Sequence, residues 1–215
     1  MHSAGLQNEI MTTRISSPIK NICIYCGSSE GHDPDFMQAA TKLGELIALN
    51  NMGLVYGGGN NGLMGAVARS VLTHGGRVTG IIPTFLKNKE NMLTSVDELI
   101  VVPDMHTRKM TMFEKADAFI ALPGGIGTLE ELVEQITWAQ LGRHRKPVLL
   151  FDQKGFWRPL LDLITHMRAH GFIRSGLDVR YMVAEKIEDI VPMLTHAANH
   201  AAREGAPTDL QVHGL

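Results

Sequence analysis

The sequence predicts an α/β chain: a doubly wound, mostly parallel sheet of six to seven strands with helices on both faces. Three observations carry this. Short β-branched runs alternate with longer stretches whose apolar residues recur at helical spacing. Three of the runs end in glycine-rich turns that open a helix. The chain has 215 residues, 44% of them hydrophobic, enough for one large core.

The elements follow in order. Asn21–Tyr25 reads as a strand running into CGSS (26–29). A helix is expected over Pro34–Asn50, where Phe36, Leu43, Leu46 and Ile47 fall on one stripe. The strand Gly53–Tyr56 ends in GGGNNGLMG (57–65), which opens a helix over Leu63–His74. Two strands, Arg77–Ile82 and Leu99–Val102, precede a helix at Thr107–Lys115. The apolar run Ala118–Leu122 enters PGGIG (123–127) and a helix at Leu129–Leu141. Pro147–Phe151 is a further strand, followed by helix Gly155–Ala169, a weaker strand near Tyr181–Ala184 and helix Ile187–Ala202. Residues 18–202 are therefore read as a single domain. The polar stretches 1–17 and 203–215 are expected to be poorly ordered tails.

Composition excludes several function classes. Twenty basic residues oppose 22 acidic ones, a formal net charge of −2, and no lysine-rich or arginine-rich tract supplies a nucleic-acid footprint. The N-terminus lacks the apolar region of a signal peptide, and no apolar run reaches the length of a membrane span, so a cytoplasmic location is expected. Cys23 and Cys26 lie three apart on and beside a strand, facing opposite sides, and read as core cysteines. The ten histidines show no ligand spacing on one helix; no metal is expected. Met105, Met110 and Met112 read as core or pocket lining.

In a parallel sheet, ligands bind outside the carboxyl ends of the strands. Three glycine loops at that edge, each opening a helix, converge backbone N–H groups on a phosphate-bearing ligand. Neither G-x-x-x-x-G-K-[ST] nor a dinucleotide G-x-G-x-x-G in its proper context is present. Arg108 and Lys109, early in the helix after the fourth strand, reach the same edge. They read either as a solvated basic pair or as cations facing an anion; the helix dipole disfavours the first. Thr128 is expected as the N-cap of the helix after PGGIG. Thr128-x-x-Glu131 would then be a capping box, which gives Glu131 a structural reading beside a catalytic one.

PGGIGTLEE (123–131), MHTRK (105–109), YGGGNNGLMG (56–65) and CGSS (26–29) occur in the order found in the LONELY GUY family of cytokinin-activating phosphoribohydrolases, which the chain resembles over residues 21–142. The resemblance implies a Rossmann-like fold, usually a homodimer, that cleaves the N-glycosidic bond of a nucleoside 5′-monophosphate without a cofactor. It implies Arg108 and Glu131 as the catalytic pair. The substrate contacts it implies are Ser28, Gly58, Glu90, Arg108, Lys109, Gly124, Gly125, Ile126, Gly127, Thr128, Leu129, Glu130 and Thr137. Ile126 stands where Tyr is frequent in the motif. Sequences of this type often carry the label lysine decarboxylase. That chemistry needs a pyridoxal phosphate lysine, and only Lys109 lies near the predicted site.

The resemblance also gives the carboxylate a task. Cleaving a glycosidic bond develops positive charge on the ribose, which an aimed carboxylate stabilises. A nucleotide carrier of the same fold is the alternative reading; it would need the glycines and a cation but no carboxylate at the sugar. The helix Leu132–Leu141 bears Val133, Ile136, Trp138 and Leu141, more apolar surface than one sheet-facing stripe needs, and a dimer is expected to cover part of it.

Overall fold

The computed structural model describes residues 19–87, 91–174 and 176–203. The two stretches expected as tails lie outside these residues except for 203, which closes the last helix, and Glu90 lies outside them too. Seven strands form one sheet among the described residues: β1 (Asn21–Tyr25), β2 (Gly53–Tyr56), β3 (Val78–Pro83), β4 (Glu98–Val102), β5 (Ala118–Ala121), β6 (Val148–Phe151) and β7 (Met182–Ala184). Their order is β4-β3-β2-β1-β5-β6-β7, and every neighbouring pair is parallel. The helices are α1 (Pro34–Leu49), α2 (Gly62–Thr73), α3 (Met105–Lys115), α4 (Ile126–Gln140), α5 (Arg158–Ala169) and α6 (Ile190–Arg203).

Strand alternation explains the two-sided burial. Ile22 and Ile24 of β1 face a core shared with α1, α2 and α6, while Cys23 and Tyr25 face a second core shared with α3, α4 and α5. Both cysteines are free and buried, and they belong to different cores, as their spacing requires. On the first face, α1 and α2 cross closely because Gly44 has no Cβ; one built there would lie 2.6 Å from the Val67 carbonyl.

Chain direction in the strand order reverses at β1, which pairs with β2 on one side and with β5 on the other. At such a switch point the loops leaving the two central strands diverge to opposite faces and leave a crevice. Here those loops are CGSS and PGGIG, tied together where the Gly27 N–H donates to the Pro123 carbonyl at 3.0 Å.

Most observed boundaries fall within one to three residues of the expected ones. The consequential difference is at α4, which starts at Ile126 with Gly125 as N-cap. Thr128 is thus inside the first turn, buried, and is not the cap; the capping box with Glu131 does not exist. Glycines at 124, 125 and 127 hid the true start, because helix propensity alone disfavours beginning there.

Candidate active site

The crevice at the switch point is a cavity of about 330 Å³, walled by the β1 loop (Cys26, Gly27, Ser28), by Met64 of α2, by Met105 and Arg108 of α3, and by the first turns of α4. A second cavity of about 290 Å³ lies on the other side of the Ser28–Gly125 ridge, against Phe36 and Phe156.

Arg108 is buried at 7% exposure, unusual for an isolated cation. Backbone carbonyls hold it. Its Nε donates to the Ile81 carbonyl at 3.2 Å and one terminal nitrogen to the Gly57 carbonyl at 3.1 Å, so the ends of β2 and β3 fix the guanidinium plane. The other terminal nitrogen lies 3.7 Å from the Met105 sulfur. Gly57 is needed for this: a Cβ there would come 2.1 Å from the guanidinium. The adjacent Gly58, with φ +82°, adopts a left-handed conformation and turns the loop away.

The three acids of α4 divide into two groups. Lys109 bridges Glu130 at 2.5 Å and Glu134 at 3.0 Å, one turn apart on the same helix face. Glu131 points elsewhere, into the cavity beside Arg108. Among the described residues it makes no hydrogen bond or ion pair. Burial pushes its pKa from an ordinary 4.5 up to about 7; the Arg108 charge opposes the rise and Glu130 adds to it. A shift of that size puts the cost of ionising Glu131 in the fold at about 3 kcal/mol.

Gly125 caps α4 without a side-chain hydrogen bond, so the first-turn N–H groups at Ile126, Gly127 and Thr128 open toward the cavity at the positive helix end. A Cβ at Gly125 or Gly127 would meet no protein atom within 4 Å, whereas one at Gly124 would collide with the Thr128 hydroxyl at 2.2 Å. Gly124 therefore serves the packing of the loop, and the bareness of Gly125 and Gly127 has meaning only against a ligand. Gly127→Ala should raise the melting temperature slightly, through helix propensity, and weaken binding of a phosphate-bearing ligand about tenfold or more; a thermal melt checks the retained fold and isothermal titration the loss.

The cavity brings together Ser28, Arg108, Gly125, Ile126, Gly127, Thr128, Glu130 and Glu131. It does not include Gly58, Lys109, Gly124, Leu129 or Thr137. Lys109 is engaged by its two acids, Leu129 packs on the second core, and the exposed Thr137 hydroxyl donates to the Val133 carbonyl one turn back. Lys109 pairs with two of the three acids, so its single positive charge offsets part of theirs and Glu131 is the acid left facing Arg108. Gly57 and Met64 were not among the expected site residues, and Met105, read as core or pocket lining, lines the cavity. The triple glycine was the signal for Gly57; nothing local marked the methionines as lining rather than core. Among the described residues no lysine lines the cavity, which does not fit an internal pyridoxal phosphate aldimine.

Residues 64–194 match the family described as "Possible lysine decarboxylase". Among curated proteins, the chain is 45% identical over 186 residues to the cytokinin riboside 5′-monophosphate phosphoribohydrolase LOG1 of Arabidopsis thaliana, covering 83% of this chain and 87% of that protein. It is 51% identical over 158 residues to LOG7 of the same plant, a protein of the same name, covering 73% and 72%. It is also 44% identical over 181 residues to the probable enzyme LOG4 of Oryza sativa subsp. japonica, covering 84% and 79%. Two solved structures share the fold: the molybdenum cofactor binding protein of Rippkaea orientalis (TM-score 0.62, 25% identity, covering 82% of this chain and 95% of that one) and the Moco carrier protein of Chlamydomonas reinhardtii (0.62, 19%, covering 84% and 98%). With more than half its length matched by the family model and close to half its residues shared with these plant proteins, the chain belongs to the LONELY GUY (LOG) family.

Proposed function

We propose that this protein hydrolyses the N-glycosidic bond of adenosine 5′-monophosphate or an N6-modified derivative, releasing free base and ribose 5-phosphate. The observation that carries the reading is the unpaired, partly buried Glu131 carboxylate beside a carbonyl-clamped Arg108 in a cavity that ends on a helix N-terminus. The names of the relatives at 44–51% identity support it. A carrier would have no use for a carboxylate raised to neutrality, and the likeness to carrier structures is one of fold.

In this mechanism the 5′-phosphate sits on the N–H groups of Ile126, Gly127 and Thr128, with Ser28 and Arg108 as further donors. The C1′–N bond breaks with its electron pair going to the base. Ionised Glu131 stabilises the positive charge developing on the ribose and takes a proton from the water whose oxygen bonds to C1′; that proton leaves on the base. Water is the only co-substrate, and no cofactor enters the balance. Lys109 acts on this site indirectly, by occupying Glu130 and Glu134.

Chromatography of purified protein with nucleotides tests the reading. AMP should yield adenine and ribose 5-phosphate. Adenosine should be a poorer substrate by about 10³-fold, because phosphate binding energy is spent on placing the sugar. Equal turnover of the two would sink the proposal, and release of base from no nucleotide would favour the carrier.

The dimer is part of the same proposal. Of the α4 residues expected to exceed one stripe, Ile136 is in the core and Trp138 meets Phe113 edge to face beneath the Arg143 guanidinium. Val133 and Leu141 stay 43% and 71% exposed, and Ile126 at the cavity mouth 82%. A two-fold partner seated on this stripe covers apolar surface and the cavity rim together. Light scattering at micromolar concentration should give about twice the 23.6 kDa chain mass; a monomer would remove this part of the proposal.

A further inference from the structure

The buried stripe of α4 is Thr128, Leu132, Gln135 and Ile136. An apolar residue at 135 would fill that place with no polar atom to satisfy. Gln135 is instead fully buried, and among the described residues neither its Oε1 nor its Nε2 has a hydrogen-bond partner. A buried carboxamide with both ends unengaged is destabilising and calls for a reason. Its backbone is placed otherwise: the Gln135 carbonyl accepts from His144 Nε2 at 3.1 Å, since His144 Nδ1 is taken by the Lys146 N–H. Burial pushes the His144 pKa down and keeps that ring neutral.

Position 135 lies one helical turn after Glu131. Residues four apart on a helix are neighbours on one face, whereas the adjacent Glu134 projects about 100° away and is held by Lys109. The two neighbours are chemically complementary, a carboxyl group and a carboxamide that each lack a hydrogen bond. Gln135 does not line the switch-point cavity, so it stands behind Glu131 and away from substrate. The other groups around Glu131 are committed. From α3 come Arg108, clamped by carbonyls, and Lys109, engaged by Glu130 and Glu134. From β1 and its loop come the Cys23 and Cys26 thiols and the Tyr25 phenol, which burial pushes up and holds neutral. A carboxamide serves both forms of an acid: its N–H donates to the carboxylate, and its oxygen accepts from the protonated O–H.

We propose that Gln135 is a positioning residue for Glu131: its Nε2–H group hydrogen-bonds the ionised carboxylate from the next turn of α4 and fixes which oxygen faces the sugar. The inference rests on the hydrolytic reading of the site, and one arm of its test needs no turnover.

Gln135→Met keeps the volume and removes the donor. Its kcat for AMP at pH 7 should fall about tenfold with KM within about twofold. The inflection of kcat/KM, expected near 7 in the parent, should move up by about one pH unit. The variant should melt no lower than the parent, because an unpartnered amide has given way to an apolar side chain. A packing role alone would lower the melting temperature and leave the inflection in place. The second arm uses the parent chain. The side-chain amide NMR resonance of Gln135, assigned from its own backbone, should shift with a midpoint near 7 and stop shifting in Glu131→Gln, which separates Glu131 from His144 as the source. An unmoved inflection in Gln135→Met would overturn the proposal. So would an amide resonance that is flat with pH, or one that shifts equally in Glu131→Gln. If the parent releases no base, the hydrolytic reading fails, and the amide titration alone decides whether Gln135 answers to Glu131.

Discussion

Glu131→Gln should lower AMP turnover by about 10³-fold while leaving AMP affinity within about threefold of the parent. The same change should raise thermal stability at alkaline pH. In the folded chain the carboxyl group titrates at about 7 instead of 4.5. The fold therefore prefers the protonated form, a preference fully present below pH 4.5 and lost as pH rises through 7. By pH 8 the parent carries the cost of a buried charge, about 3 kcal/mol, and glutamine does not; the stability gap should close toward pH 5. Activity runs the other way. The mechanism uses the ionised form, so kcat/KM of the parent should climb with pH, inflect near 7 and level off above it. A Gln variant with parental turnover would remove Glu131 from the chemistry. A profile that falls through pH 7 would mean that the protonated acid is the working form.

Gly57→Ala should be nearly as damaging, although Gly57 is remote from any proton transfer. The added Cβ would fall 2.1 Å from the Arg108 guanidinium. The flexible arginine, not the backbone, should give way, so the chain should fold with a melting temperature within a few degrees of the parent. Arg108 would leave the carbonyls of Gly57 and Ile81, and kcat/KM should drop about 10²-fold or more. A second readout follows from electrostatics. Arg108 is the largest influence holding the Glu131 pKa down, so displacing it should move the inflection of the pH profile above 7. Arg108→Ala should give the same upward movement with a larger loss. Parental kcat/KM and an unmoved inflection in Gly57→Ala would show that the carbonyl clamp is not required.

The sheet and the edge at which the site lies were legible because hydrophobic period and glycine turns are local signals. β1, β2 and β5 are found at or within one residue of their expected limits. The start of α4 was not legible. Its first turn is Ile126-Gly127-Thr128, with a glycine cap, where local propensity placed Thr128 at the cap; the loop just before it is held by a tertiary bond from Gly27 to Pro123, which no local pattern encodes. The partners of Lys109 were equally hidden. That Glu130 and Glu134 meet a lysine from α3 depends on the packing of two helices against one sheet face, which no spacing within either helix encodes. Arg108 was legible as a cation at the right edge, but its carbonyl acceptors belong to β2 and β3 and emerge only from strand order.

The pairing of β1 with β5 has a kinetic meaning. Ile22 aligns with Ala118, and almost a hundred residues separate them, whereas β1 to β4 and β5 to β7 each assemble from consecutive segments of chain. Loop closure on that scale is entropically costly and slows folding, so the seam between the two halves is expected to be the last joint in the sheet to close. Arg108 reaches the crevice from one side of that seam and Glu131 from the other. A half-made chain emerging during synthesis can already display the guanidinium cradle, yet it has no carboxylate opposite it. Hydrolytic capacity would then switch on in a single late event, and recovery of activity during refolding should lag behind recovery of helical signal.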